Sequence, residues 1–83
     1  MITHVAIWHK GELHSLPSPN RHHHIIYKIA FETGDRIEGE QGFLDDQGNY
    51  LNRVQALKHA LECGQHKNPD DIRAGRLFSE DVW

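Results

Sequence analysis

The stretch from Ile2 to Trp8, with four consecutive apolar residues from Val5, reads as a β-strand with Ile2, Ala6 and Trp8 beside His4 on one face and Val5 and Ile7 on the other. Lys10-Gly11 suits a two-residue hairpin turn, so Glu12 to Leu16 is expected to return as a second strand that Pro17 and Pro19 end. The period then changes. His22, Ile25, Ile26, Ile29 and Thr33 share one helical face with Ala30 beside them, and Ser18-Pro19-Asn20 and Gly34 supply start and stop signals, so a helix is expected from Pro19 to Thr33. Asp35 to Gln41 is polar, with room for a short strand at Arg36-Ile37. Gly42 to Asp45 and Asn49 to Leu51 read as a second hairpin turning at Gln47-Gly48. Asn52, with Gln55 three residues on, is the cap of a second helix that carries Val54, Leu57, Ala60 and Leu61 on one side and stops at Gly64. The expected fold is a small α+β single domain over residues 1–83, an antiparallel β-sheet of two hairpins packed against two α-helices, with a polar loop over 66–76 and an apolar docking tail over 77–83.

Length sharpens the expectation for the tail. A chain of 83 residues buries only about 60–65% of the surface that its unfolded form exposes, so its core is marginal. Leu77, Phe78, Val82 and Trp83 are too apolar to remain in water. The tail is expected to dock on its own domain or, the favoured alternative, across a subunit boundary in a homo-oligomer. No apolar run approaches the ~20 residues that cross a membrane, Met1-Ile2-Thr3-His4 opens no signal peptide, and Cys63 is the single cysteine. These features point to a reducing cytoplasm and no membrane partner. The formal charge of -3 argues against general duplex DNA binding and is too mild for a DNA mimic. The eight histidines swing the charge positive a little below pH ~6.5.

Candidate chemistry gathers at Arg21-His22-His23-His24, where the first helix is expected to begin. A helix start presents unpaired N–H groups and partial positive charge; an arginine fork and imidazoles added there suit an anion, most naturally a phosphate. Arg53 directly follows the second cap. If the two helix starts converge, Arg21, His22, His23 and Arg53 form one ligand-binding set. The plainer alternative is a helix start with His22 facing the core and His23 and His24 in solvent. His22 and His23 are also the candidate catalytic pair for a phosphodiesterase, which needs imidazoles on opposite sides of the phosphorus. No H-x-T or H-x-S repeat accompanies them. No metal and no cofactor are expected, since adjacent histidines on a helix diverge by about 100° each and the nearest alternative, His4 and His14 across the first hairpin with Asp45 or Asp46, lacks a two-pair framework. Asp45-Asp46 reads as turn chemistry, Cys63 as packing, and Trp8 and Trp83 as core or interface.

The order Leu16-Pro17-x-Pro19-x-Arg21-His22-His23, then Gln41-Gly42-Phe43, Gly48-Asn49-Tyr50-Leu51-Asn52-Arg53, Ala56, Ala60, Gly64-Gln65 and Leu77-Phe78-Ser79-Glu80-Asp81-Val82-Trp83 resembles a family of small proteins encoded by tailed bacteriophages and prophages. The resemblance spans most of the chain except 35–40 and 66–76. It implies a phage accessory protein in the cytoplasm of an infected bacterium. Such proteins often act against host defence, so three activities are expected as alternatives: sequestering a small phosphate-bearing, nucleotide-type ligand, which leads; cleaving a nucleotide signal; or blocking a host defence protein through the acidic and aromatic tail.

Overall fold

A computed structural model describes residues 1–37, 39–72 and 75–83. Its elements are β1 (Ile2–His9), β2 (Glu12–Pro17), α1 (His22–Thr33), β3 (Gln41–Asp45), β4 (Tyr50–Asn52), α2 (Arg53–Glu62) and a short 3-10 turn at Ser79–Asp81. The strands form one antiparallel sheet in the order β2-β1-β3-β4. The fold is therefore the expected α+β arrangement of two hairpins and two helices.

The first hairpin turns where the sequence places it. Lys10 and Gly11 both take positive φ, 50° and 77°, the pairing whose twist matches that of the flanking strands. β1 is a central strand, paired with β2 along one edge and β3 along the other. A register shift between Ile2 and His4 adds one residue to β1 and reverses the facing of its first residue. Ile2 thereby joins Val5 and Ile7 in the core instead of sharing a face with Ala6 and Trp8. The Gln65 side chain closes the irregularity: Ile2 N–H donates to Gln65 Oε1 at 2.6 Å and Gln65 Nε2 donates to Ile2 O at 2.7 Å. One amide thus stands in for a strand partner.

Both helices bury their apolar stripes in one cluster with Val5, Ile7 and Phe43. From α1 come Ile25 and Ile29, with His22 buried beside them. From α2 come Ala56, Leu57 and Ala60. Val54 and Leu61, expected on that face, are exposed, because the buried stripe centres on the two alanines and leaves these larger residues at its rim. α1 begins three residues later than Pro19. Asn20 N–H and its side-chain amide both donate to Pro17 O, at 3.0 and 2.8 Å, which holds Pro19 in a turn before the helix. Gly34 ends α1 at φ 73°, a conformation that suits glycine. Arg36 and Ile37 form no strand; Ile37 packs against the core. In the second hairpin Asp45 Oδ1 accepts from the N–H groups of Gln47 and Asn49, so Asp45 serves the turn.

The C-terminal segment docks on its own domain. Leu77 is fully buried, and Val82, Ser79 and Asp81 are nearly so. The segment before it is less polar in practice than in composition: His66 is buried, and Lys67 N–H donates to Asp81 O at 2.7 Å. Arg73 and Ala74, within the expected 66–76 loop, lie outside the described residues.

Candidate functional site

Arg21 is the residue before α1, with extended backbone at φ -119° and ψ 167°. His24 turns its Nδ1 back to accept the Arg21 N–H at 2.8 Å, the role that Glu or Gln takes in a capping box. His24 thus helps start the helix. The Arg21 guanidinium reaches across to the tail: Nη2 donates to Trp83 O at 2.6 Å, and Nη1 lies 3.7 Å from Glu80. Trp83 answers with a bond from its indole Nε1 to Asn20 O at 2.6 Å.

His22 points inward, as the plainer alternative has it. Its Nε2 is 2.6 Å from Gly42 O, a contact that requires the nitrogen to carry hydrogen. Its ring meets Phe43 edge to face at 4.9 Å. Burial pushes its pKa down to about 4 despite the Gly42 bond, and the Arg53 charge adds to the push. His22 is therefore neutral at physiological pH. His23 is exposed, with its ring centred 4.1 Å from that of His24 and tilted to it by 50°.

Arg53 opens α2, directly after the Asn52 cap, which accepts from Gln55 N–H while Gln55 Oε1 accepts from Asn52 N–H. Arg53 Nη1 donates to Leu77 O and Nη2 to Gln41 Oε1, both at 2.8 Å, with the guanidinium 4.8 Å above the Phe78 ring. Two of its five N–H groups are committed in this way. Burial lowers the Arg53 pKa; Glu80 opposes and Arg76 reinforces that effect.

The two helix starts converge on the tail, and two clefts lie beside it. The smaller, about 150 Å³, is lined by His22, His23, Arg53, Phe78, Ser79 and Glu80. It brings together three of the four residues expected to bind a ligand; Arg21 stands behind Glu80. The larger, about 450 Å³, is lined by Glu40, Gln41, Asn52, Arg53, Val54 and Arg76, a volume within the range of about 300–1,000 Å³ that small-molecule sites occupy. Arg53 lines both. Arg76, Gln41 and Glu40 carry no local motif, and only the approach of the segment before Leu77 to α2 makes Arg76 a neighbour of Arg53. Tyr50 borders this region. Burial pushes its phenol up to about 12, with the Glu40 carboxylate adding to the effect, so it remains protonated.

His9 is a further buried histidine, 3.5 Å from Asp35 Oδ2. Among the described residues no three His, Cys, Asp or Glu side chains form a group suited to a metal ion, and no helix is long and apolar enough to cross a membrane.

A four-stranded sheet with both helices on one face, closed by a C-terminal segment that two arginines hold, defines a small single-sheet α+β protein with a cationic cleft at one edge. Over residues 1–83 the chain matches the family described as phage T4 y16D protein and belongs to it, which makes it a bacteriophage-family protein. No curated protein and no solved structure matches the chain.

Proposed function

We propose that this phage protein acts by binding: it holds a small phosphate-bearing, nucleotide-type ligand against Arg53 and, in the cytoplasm of the infected cell, withholds it from host defence. The observation that carries this reading is the position of Arg53, at the first turn of α2 and between two clefts. A helix N-terminus and two guanidinium groups favour a multiply charged anion there, and an anion would relieve the repulsion between Arg53 and Arg76. The larger cleft has room for a base and sugar beside the phosphate. Sequestration is favoured over cleavage because His22 is neutral, buried and bonded through Nε2 to Gly42 O, which leaves it poorly placed to hand a proton to a leaving group.

Titration calorimetry with inorganic pyrophosphate and with a cyclic dinucleotide tests the reading. Binding weakened by about 1.5–3 kcal/mol in Arg76→Ala, the range for a charged hydrogen bond, supports it. The mixture is then heat-denatured and the small molecules chromatographed. Intact dinucleotide supports sequestration, cleaved dinucleotide would establish a phosphodiesterase instead, and absence of binding by either probe would remove the ligand site.

A further inference from the structure

The outer face of α1 carries two large aromatic side chains in water. Phe31 is 92% exposed and Tyr27 68%. They lie one turn apart on the side of the helix opposite the buried Ile25 and Ile29, with His23 against Tyr27 at 5.7 Å. Neither ring contributes to the core. On a chain of this size such a stripe marks an interface. On one flank it is bounded by Lys28 and Glu32, both exposed and again one turn apart. On the other, Ala30 and Ile26 border a groove of about 600 Å³ that also reaches Ile37.

We infer that this face pairs with a second copy of the chain, α1 against α1 in antiparallel orientation about a two-fold axis. Charge complementarity selects the partner and its direction. In an antiparallel pair Lys28 comes level with Glu32 of the partner subunit, and the reciprocal pair forms by symmetry; in that register Tyr27 lies about 3 Å along the axis from Phe31 of the partner subunit, within reach of its ring. A parallel pair would set the Lys28 and Glu32 flank against Ala30 and Ile26 of the partner subunit and leave the charges unpaired. The stripe is self-complementary in one direction only. Area sets the strength. Four aromatic side chains at about 150–250 Å² each bury about 600–1,000 Å² before their flanks are counted, short of the roughly 1,200 Å² at which stable specific interfaces start and in the range of weak encounters. The dimer is therefore a weak one that forms at micromolar concentrations. It leaves the larger Arg53 cleft free, since no residue of α1 lines it, and it uses a surface that the chain's own core never needs.

Sedimentation velocity over a concentration series reads the assembly directly. Wild type should move from the 9.6 kDa monomer toward twice that mass. Phe31→Glu should raise the dissociation constant at least about tenfold with the melting temperature of the monomer unchanged, since the side chain is solvent-exposed in the single chain. Lys28→Glu should weaken the dimer, and Lys28→Glu combined with Glu32→Lys should restore it, which a merely sticky surface would not do. A wild type that stays monomeric into the hundreds of micromolar, or a dimer indifferent to Phe31→Glu or to the charge swap, overturns the inference. So does a monomeric chain that retains a host protein through Phe31, which would assign the face to a different partner.

Discussion

Arg53 and Leu77 are bonded to each other in both directions: Leu77 N–H donates to Arg53 O at 2.9 Å, and Arg53 Nη1 donates to Leu77 O at 2.8 Å. The far end of the same segment has a matching arrangement, with Arg21 donating to Trp83 O and Trp83 donating to Asn20 O. The start of each helix thus grips one end of a seven-residue segment whose middle, Ser79–Asp81, turns on itself through Phe78 N–H to Asp81 Oδ2. These bonds complete a core that the two hairpins and two helices leave open at one edge.

The segment should accordingly be a major contributor to stability. Leu77→Ala removes a fully buried side chain and is expected to destabilise by about 2–5 kcal/mol, with each kcal/mol lowering the melting temperature of a domain this small by about 4–8 °C. Arg21→Ala should act in the same direction but more weakly, since its bonds are partly exposed to water. Thermal denaturation of both variants checks the order; a Leu77→Ala protein that melts with wild type would mean that the tail is not held in solution.

Gln65 should matter far more than its place beyond the end of a helix suggests. Its amide both donates to and accepts from Ile2. Gln65→Glu keeps the acceptor but loses the donor, leaving the Ile2 carbonyl facing a carboxylate. We expect a loss of about 1–3 kcal/mol, the desolvation range for an unpaired polar group, measured by urea denaturation and larger than that of Gln55→Glu, whose acceptor role at the Asn52 cap survives the change. Equal effects at the two positions would contradict the bridging role.

His22 sets a pH dependence with a definite sign. Its pKa falls from 6.5 to about 4 on folding, chiefly through burial. The unfolded chain therefore takes up a proton near 6.5 that the folded chain refuses until about 4. Stability is full above the upper value, declines through the window and levels off below the lower one. At about 1.36 kcal/mol per pH unit of difference the loss reaches about 3 kcal/mol. Asp35 and Asp45 are held below the ordinary carboxylate range, Asp35 by Lys10 and Asp45 by the main chain of Asn49. Their contributions are present above the ordinary carboxylate pKa and are lost only below this window, as pH falls through their lowered values. His22→Gln retains a donor for Gly42 O but cannot titrate. Urea midpoints at pH 7 and pH ~4.5 should show a shallower decline in the variant; parallel declines would exclude His22 as the source.

Local signals in the sequence located most of the fold. Gly34 and Gly64 end the helices, Lys10-Gly11 turns the first hairpin, and Asn52 with Gln55 starts α2, each because the feature is set within a few residues. The inward face of His22 is also legible, at helical spacing from Ile25 and Ile29. Long-range side chain to main chain bonds leave no such trace. Nothing near Arg21 signals that its guanidinium meets a residue 62 positions away, and nothing near Ile2 signals the register shift that turns it into the core. The candidate site divides in the same way. His22, His23 and Arg53 meet in one cleft because two helix starts converge, whereas Arg76 joins Arg53 only through the path of the tail.

Gly42 is where the sheet, His22 and β4 press on one residue, so it should tolerate no side chain. A Cβ there would run into the Leu51 carbonyl and come within 2.6 Å of the Tyr50 hydroxyl. A main-chain carbonyl yields only if β4 moves, which would disturb the pairing of Gly42 with Asn52 and the edge-to-face contact of Tyr50 with Trp8 at 5.8 Å. The Gly42 carbonyl also holds His22 at 2.6 Å, so a shift of β3 would weaken the first turn of α1. Gly42→Ala is expected to destabilise by about 1–3 kcal/mol, the range for overpacking in a filled interior. It should also change the near-ultraviolet circular dichroism of the Trp8–Tyr50 pair even at temperatures where the variant remains folded. Shortening Tyr50 in the same protein, as in Tyr50→Ala, should not rescue it, because the Leu51 carbonyl remains in the way. Recovery of wild-type stability in that double variant would show that the ring, not the β4 backbone, is what excludes a side chain at position 42.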